Sequence, residues 1–170
     1  MVDAAGSEPS GEFTLRRAVA DDAQAIGAVF DAAVRAGWTF LGELARRPMF
    51  TAQQWDQMII DLAAPDALLV ATDAAGAVAG FSAVHAAAGE MYLLFVDPAH
   101  AGRGAGRLLL NAAHDVVRAA GHSEVFLFTE ERNTRALAVY AAAGYRPDGT
   151  SRESDFHGAA LRELRLVKAL

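Results

Sequence analysis

The chain contains no cysteine. Disulfides, thiolate nucleophiles and cysteine-ligated metal sites are therefore excluded. Basic residues are also scarce, with 15 Lys and Arg against 21 Asp and Glu and a formal net charge of −6. A nucleic-acid binder needs a basic face for phosphates, so that class is set aside. An acidic balance favours solubility and mildly attracts cationic partners such as amines. No uninterrupted apolar run approaches the roughly 18 residues of a membrane span. Met1 to Gly11 holds no Lys, no Arg and no apolar run, so no signal peptide is expected there and the cytoplasm is the default location. The histidines His85, His100, His114, His122 and His157 show no metal-ligand spacing, and no metal site is expected.

What is present is a globular composition. At 170 residues, 53% hydrophobic and 21% charged, the chain suits one domain with a real core. Residues 1–12, rich in Ala, Gly, Ser and Pro, read as a mobile tail, which leaves 13–170 as the domain. Phe13 to Arg17 alternates like a strand. Asp21 with Gln24 resembles a capping box and opens a helix from about Asp22 to Ala36, ended by Gly37. Thr51 with Gln54 repeats that signal for a second helix, which must finish before Pro65. Ala67 to Thr72 and Ala77 to His85 flank the turn Asp73-Ala74-Ala75-Gly76 and read as a hairpin. Met91 to Val96 is apolar on both faces, as a covered central strand would be.

A loop, Pro98 to Gly106, leads to a helix over Leu108 to Ala120. Leu109, Ala112, Val116 and Ala120 fall on its apolar face, and Arg107, Asn111, His114 and Arg118 on its polar face, where His114 is expected in solvent. Val125 to Thr129 is a strand, Thr134 to Ala143 a helix stopped by Gly144, and Tyr145 to Glu153 with Ala160 to Lys168 a closing pair of strands. The order is β-α-α-β-β-β-α-β-α-β-β. The strand–loop–helix–strand unit implies a right-handed crossover and a parallel pair, while the hairpins imply antiparallel ones. The expected fold is α/β, a mixed central sheet of about six or seven strands with helices on both faces.

The most informative segment is Val96-Asp97-Pro98-Ala99-His100-Ala101-Gly102-Arg103-Gly104-Ala105-Gly106-Arg107. A strand runs into glycines and the glycines run into a helix. Glycines let the backbone approach a ligand closely, and the first helical amides have no internal partner and favour an anion. Arg103 and Arg107 add positive charge. These are the features of a pyrophosphate site, with a structural turn before a helix as the plainer alternative. A Walker loop needs Gly-Lys-Ser/Thr where this chain has Gly106-Arg107-Leu108. The dinucleotide fingerprint fails because its third glycine would fall at Arg107 or Leu109.

Asn133-Thr134-Arg135-Ala136-Leu137-Ala138-Val139-Tyr140-Ala141-Ala142-Ala143-Gly144-Tyr145 is the second informative segment. Asn133 is a good N-cap. Seven residues are nearly two turns, so Asn133 and Tyr140 share a helix face about 10 Å apart along the axis and can touch one extended ligand.

Together these segments resemble the GNAT acetyltransferase superfamily. The family's cofactor loop, Q/R-x-x-G-x-G/A after Val-x-Pro, is similar to Val96-Asp97-Pro98 followed by Ala101 to Gly106. Its N-x-x-A-x-x-x-Y-x-x-x-G-F/Y pattern matches Asn133 to Tyr145. Ala101 departs, standing where the family usually has Gln or Arg, which removes one polar contact and leaves the amides. The resemblance implies acetyl-CoA as co-substrate. It implies that the backbone of Leu94, Phe95 and Val96 pairs with the pantetheine arm like an added strand, and that Gly102, Arg103, Gly104, Ala105, Gly106 and Arg107 hold the pyrophosphate, with Asn133 beside the cofactor.

It further implies an N-acetyltransferase acting by direct attack on a primary amine of a small molecule or peptide. A phenol with a pKa near ~10 can protonate a departing thiolate whose thiol has a pKa near ~8.5, and the family places Tyr140 in that role; a core tyrosine is the alternative. Some relatives carry a Glu base where this chain has Phe128. Glu90, opening the strand that leads to the loop, is the preferred base, directly or through water, with Glu130 and Glu131 as alternatives. Tyr92 is expected on Glu90's strand face. An amide near Phe95 or Val96 would polarise the thioester carbonyl. Trp38, Phe40, Leu41, Met49, Phe50, Trp55 and Met58 fall where the family builds its acceptor pocket, or pack in the core. The turn Ser154 to Gly158 is a further candidate rim, with a plain hairpin loop as the alternative. Relatives are often homodimers, and the closing strands are the expected contact. Two other classes stay open: a non-catalytic CoA-binding module and a different phosphate-ligand enzyme.

Overall fold

A computed structural model describes residues 12–170. The proposed tail lies outside the described residues except for Glu12, whose carboxylate is engaged by Arg103. The elements are β1 (Thr14–Arg17), α1 (Ala23–Gly37), α2 (Ala52–Asp61), β2 (Ala67–Thr72), β3 (Val78–His85), β4 (Glu90–Val96), α3 (Ala105–Ala119), β5 (Glu124–Glu130), α4 (Thr134–Ala142), β6 (Arg146–Phe156) and β7 (Ala159–Ala169). Their order is the expected one. Short 3-10 turns join several of them, notably Thr39–Arg46 between α1 and α2, kinked at Gly42.

Local chemistry explains the boundaries. The Thr51–Gln54 capping box forms, with each side chain reaching the other's backbone amide, and α2 starts at Ala52. The start of α1 differs from expectation. Asp22, not Asp21, carries the polar contacts: its carboxylate accepts from the Val19 amide at 2.8 Å and from both terminal nitrogens of Arg16 at 2.6 and 2.8 Å. That bidentate pair holds Asp22 buried and its carboxyl below the usual range, with the Arg16 hydrogen bonds as the main cause. The β2–β3 turn closes on Asp73, whose Oδ1 accepts from the amides of Ala75 and Ala77.

The seven strands form one sheet, ordered β1-β2-β3-β4-β5-β7-β6. All neighbours are antiparallel except β4 and β5, the parallel pair joined across α3. One face of the sheet is covered by α1 and α2 around Ile26, Phe30, Trp55 and Phe81. The other is covered by α3 and α4, with Leu110, Leu127, Tyr140, Tyr145 and Leu166 in a shared core.

The inward face of α3 corrects the expectation from the sequence. Its buried residues are Ala105, Leu109, Leu110, Ala113, His114 and Val117, so the helix is rotated from the Leu109–Ala112–Val116 stripe. His114 is 3% exposed, not solvated. Its burial is supported by the Tyr145 hydroxyl, which lies 2.8 Å from Nε2 and gives that nitrogen a partner.

Candidate active site

The site begins where the sheet comes apart. β4 and β5 share one registered pair, Glu90 with Phe126; beyond it, β4 from Met91 to Val96 is paired only with β3. A bulge helps to part the strands. Ala83 faces Leu93 while Val84 faces Met91, leaving Tyr92 as the extra residue, and a bulge bends its strand and sharpens its twist. The bulge also changes the alternation. Leu93 and Phe95 pack toward α1 and α2, where strict alternation from Glu90 would have put Leu94 and Val96. The free edge of β4 is therefore an open strand template at the residues named for the pantetheine arm, Leu94, Phe95 and Val96.

At the end of β4 the chain turns into α3. Asp97 accepts from the Ala99 amide at 2.9 Å, and Gly102 and Gly104 take φ values of +79° and +105°, conformations that disfavour any side chain. Gly104 is the N-cap of α3, so the amides of Ala105, Gly106 and Arg107 lie in the first turn, where helices have no internal acceptors. The Arg103 amide is in part committed to His100 O at 3.4 Å. Its side chain is held by Glu12 and lies over the Phe13 ring at 5.8 Å, whereas Arg107 is exposed. The anion-binding capacity of this turn thus rests on backbone groups and the helix dipole more than on arginine.

The cleft between the strands, about 200 Å³, is lined by β4 residues Met91 to Phe95, β5 residues Leu127 to Glu130, Asn133, Ala136 and Tyr140 of the α4 region, and Phe30, Trp38, Met49 and Phe50 from the α1–α2 side. Asn133 caps α4, accepting from the Ala136 amide at 3.1 Å. Tyr140 is 8% exposed. Burial raises its phenol well above the ordinary value, so the hydroxyl stays protonated at neutral pH.

The acids separate by partner. The Glu130 side chain is wholly buried, and both its oxygens are occupied by Arg132, through the backbone amide at 2.6 Å and Nε at 2.5 Å. Arg132 also lies over Phe40 at 4.3 Å. Glu131 pairs outward with Arg162 at 3.2 Å. Glu90 is not in the cleft wall. It sits where β4 and β5 still pair, with Oε1 buried and without a hydrogen-bond partner among the described residues; Arg152 Nη1 is 3.9 Å away. Tyr92 does line the cleft and packs on His85 at 5.1 Å.

Residues that sequence reasoning missed lie on the β6–β7 hairpin. Arg152 stacks on the Phe128 ring at 3.9 Å and donates from Nε to Glu163 at 2.6 Å. Both residues line the cleft, beside Ser154, Asp155 and Phe156 of the turn already named as a candidate rim. Hairpin register was the available signal, since Arg152 and Glu163 are direct cross-strand partners. Of the aromatic cluster, Trp38, Met49 and Phe50 reach the cleft, while Trp55 is core at 1% exposure. Among the described residues no group of three or more potential metal-ligating side chains occurs, and no helix is long and apolar enough to cross a membrane.

Comparison with known proteins bears on this geometry. The model of the Acetyltransferase (GNAT) family matches residues 31–145. Mycothiol acetyltransferase of Nocardia farcinica is 37% identical over 140 residues, covering 75% of this chain and 43% of that protein. Mycothiol acetyltransferase of Clavibacter sepedonicus is 46% identical over 84 residues, covering 48% of this chain and 28% of that protein. The chain thus spans less than half the length of these curated relatives. A GCN5-related N-acetyltransferase from Rhodopseudomonas palustris superposes with a TM-score of 0.79 at 20% identity, covering 97% of this chain and 100% of that one. The PaiA N-acetyltransferase from Thermoplasma acidophilum, solved with coenzyme A, superposes with a TM-score of 0.75 at 16% identity, covering 93% and 99%. At these identities the solved structures show the shared fold.

Proposed function

Because the chain belongs to the GNAT acetyltransferase family, we propose that it transfers the acetyl group of acetyl-CoA to a primary amine of a small molecule or peptide by direct attack. The observation that carries this reading is the parting of β4 and β5 after Glu90, which leaves an unpaired strand edge between the N-terminus of α3 and Tyr140. The residues present fit the co-substrate. The turn of Gly102 to Gly106 offers left-handed glycines and first-turn amides to the pyrophosphate, joined by the exposed Arg107. The edge of Leu94 to Val96 offers backbone groups to the amide-rich arm. Asn133 and Tyr140 face the same cleft.

The amine nitrogen attacks the thioester carbonyl carbon, the carbon–sulfur bond breaks, and the departing sulfur takes the Tyr140 proton. Burial makes Tyr140 a weaker acid, and the same dry environment makes the departing thiolate a stronger base, so the two shifts offset one another and the phenol can protonate the sulfur as the carbon–sulfur bond breaks. The proton shed by the amine goes through water to Glu90. Glu90 suits that part better than Glu130, because its carboxylate has only the distant Arg152 Nη1 at 3.9 Å while both Glu130 oxygens are filled by Arg132. Its position outside the cleft wall makes the route water-mediated. An amide of Phe95 or Val96 polarises the carbonyl.

The test is thiol release from acetyl-CoA over a panel of amines, to which the relatives' name adds mycothiol-related compounds. Release with one or more amines, together with thermal stabilisation by CoA and not by ATP or NAD, is the expected result. Stabilisation by CoA with no release from any amine would make the chain a CoA-binding module instead. Stabilisation by ATP or NAD alone would refute the CoA reading.

A further inference from the structure

Tyr140 does not stand alone at the cleft. Behind it, on the α3 side, is a buried polar pair that the proposed chemistry leaves unused. Tyr145 lies just past α4, after Ala143 and Gly144, and its amide donates to the carbonyl of Tyr140 at 3.0 Å, so the two residues are tied through the backbone. Their rings meet edge to face at 5.6 Å. The Tyr145 hydroxyl does not face the cleft; it lies 2.8 Å from His114 Nε2 in the core between α3 and the sheet. A buried polar pair of this kind adds little net stability over apolar groups of the same shape, yet it fixes direction, because a hydrogen bond restricts a ring more narrowly than packing does.

We propose that His114 and Tyr145 are positioning residues for the acetyl-transfer step: their hydrogen bond fixes the Tyr145 ring, and that ring sets where the Tyr140 hydroxyl stands in the cleft. This rests on the reading of Tyr140 as proton donor. Three contacts converge on the brace. The His114 ring is anchored by α3, whose inward face it shares with Leu110 and Val117. Tyr145 is anchored by its backbone bond to Tyr140, and Lys168 Nζ of β7 lies 5.9 Å over its ring. Tyr140 therefore has one side against the brace and the other in the cleft. A general acid gains from this because proton transfer weakens steeply when donor and acceptor are misplaced by a fraction of an ångström. Burial keeps the His114 ring neutral, so Nε2 can accept the Tyr145 hydroxyl hydrogen and hold it in one orientation.

The experiment is a double-mutant cycle on the full chain, read as thiol release from acetyl-CoA with the panel amine giving the fastest release. Tyr145→Phe keeps the ring and removes the hydroxyl. It is expected to lower kcat about fivefold to tenfold with the KM for acetyl-CoA within about twofold. His114→Leu should reproduce that loss, and His114→Gln, which can still reach the hydroxyl, should restore most of it. In the Tyr140→Phe background, Tyr145→Phe should cost almost nothing further, since there is no hydroxyl left to position. CoA-induced thermal stabilisation of each variant shows whether it is folded. If Tyr145→Phe is silent in the unmodified protein, or costs the same factor in the Tyr140→Phe background, the brace is refuted while the donor role stands. If Tyr140→Phe itself leaves turnover intact, the donor role falls and the brace falls with it.

Discussion

The two halves of the cleft are built from different materials. On the side proposed for the cofactor, β4, the glycine turn and α3 present backbone: an unpaired strand edge, left-handed glycines and first-turn amides. On the side proposed for the acceptor, the segment between α1 and α2 and the β6–β7 hairpin present side chains: aromatics, the Arg152–Glu163 pair and Asp155. Backbone groups bind one ligand geometry regardless of neighbouring residue identities, whereas side-chain surfaces change with every substitution. One half is thus suited to an invariant co-substrate and the other to a particular acceptor.

Tyr140, where the two halves meet, should give the largest effect. Tyr140→Phe is expected to lower turnover by roughly a hundredfold, the low end of what a general acid contributes, with CoA-induced thermal stabilisation unchanged. A matching fall in CoA affinity would mean that the phenol belongs to the cofactor half as a packing residue.

The next effect tests whether acid sensitivity belongs to the cofactor half. His114 is pushed down to about 4, mainly by burial, with Lys168 and Arg118 also opposing its protonation and Asp115 favouring it. Its folded value lies below the ordinary 6.5, so the unfolded chain binds the proton more readily. Its contribution is complete above about pH 6.5, is lost as pH falls toward 4, and changes no further below that, a loss on the order of 2–3 kcal/mol. Urea melts between pH 7 and 4 should show that slope, and His114→Leu should flatten it. An unchanged slope would place the acid sensitivity elsewhere.

The same division decides what was legible in the sequence. Element order followed from apolar periodicity and from caps such as Thr51–Gln54 and Asn133, because those signals are local. The glycine turn was legible for the same reason: glycines at positive φ leave a mark in the sequence itself. The rotation of α3 was not, because His114 counts as polar until Tyr145, 31 residues later, satisfies it. The Tyr92 bulge depends on register against β3, and Arg152 is drawn to the cleft by Phe128 and Glu163 from two other strands. Both are long-range facts. The resemblance supplied roles for Glu90 and Tyr140, but not Glu90's place outside the cleft wall.

A third effect opposes backbone to side chain within the cofactor half. Gly104→Ala places a side chain at φ +105°, a conformation costing about 1–2 kcal/mol, so CoA should bind roughly tenfold more weakly. Arg103→Ala should change CoA affinity less than about threefold, because Glu12 already neutralises that guanidinium. Isothermal titration with CoA compares the two, and a larger loss for Arg103→Ala would make side-chain charge the main grip.

A smaller effect than that of Gly104→Ala is expected from the acceptor half, and it is the one that most sharpens the contrast. Arg152 is held over Phe128 by stacking and by its Nε bond to Glu163, with its guanidinium partly in solvent. Removing it leaves Glu163 without its partner beside the cleft and uncovers the phenyl ring, so the acceptor meets a more negative and more open surface. Arg152→Met keeps the apolar stem against Phe128 and removes only the charge. The KM for the amine should then shift about threefold to fivefold, a fall for a cationic acceptor and a rise for one bearing a carboxylate, because only the electrostatic part changes. CoA affinity should stay constant, since Arg152 is held by Phe128, Glu163 and Glu90 and not by the turn of Gly102 to Arg107. Steady-state kinetics with one cationic and one zwitterionic amine reads both quantities at once. A coupled change in CoA affinity would mean that the two halves share their electrostatics, and the separation drawn between them would fail.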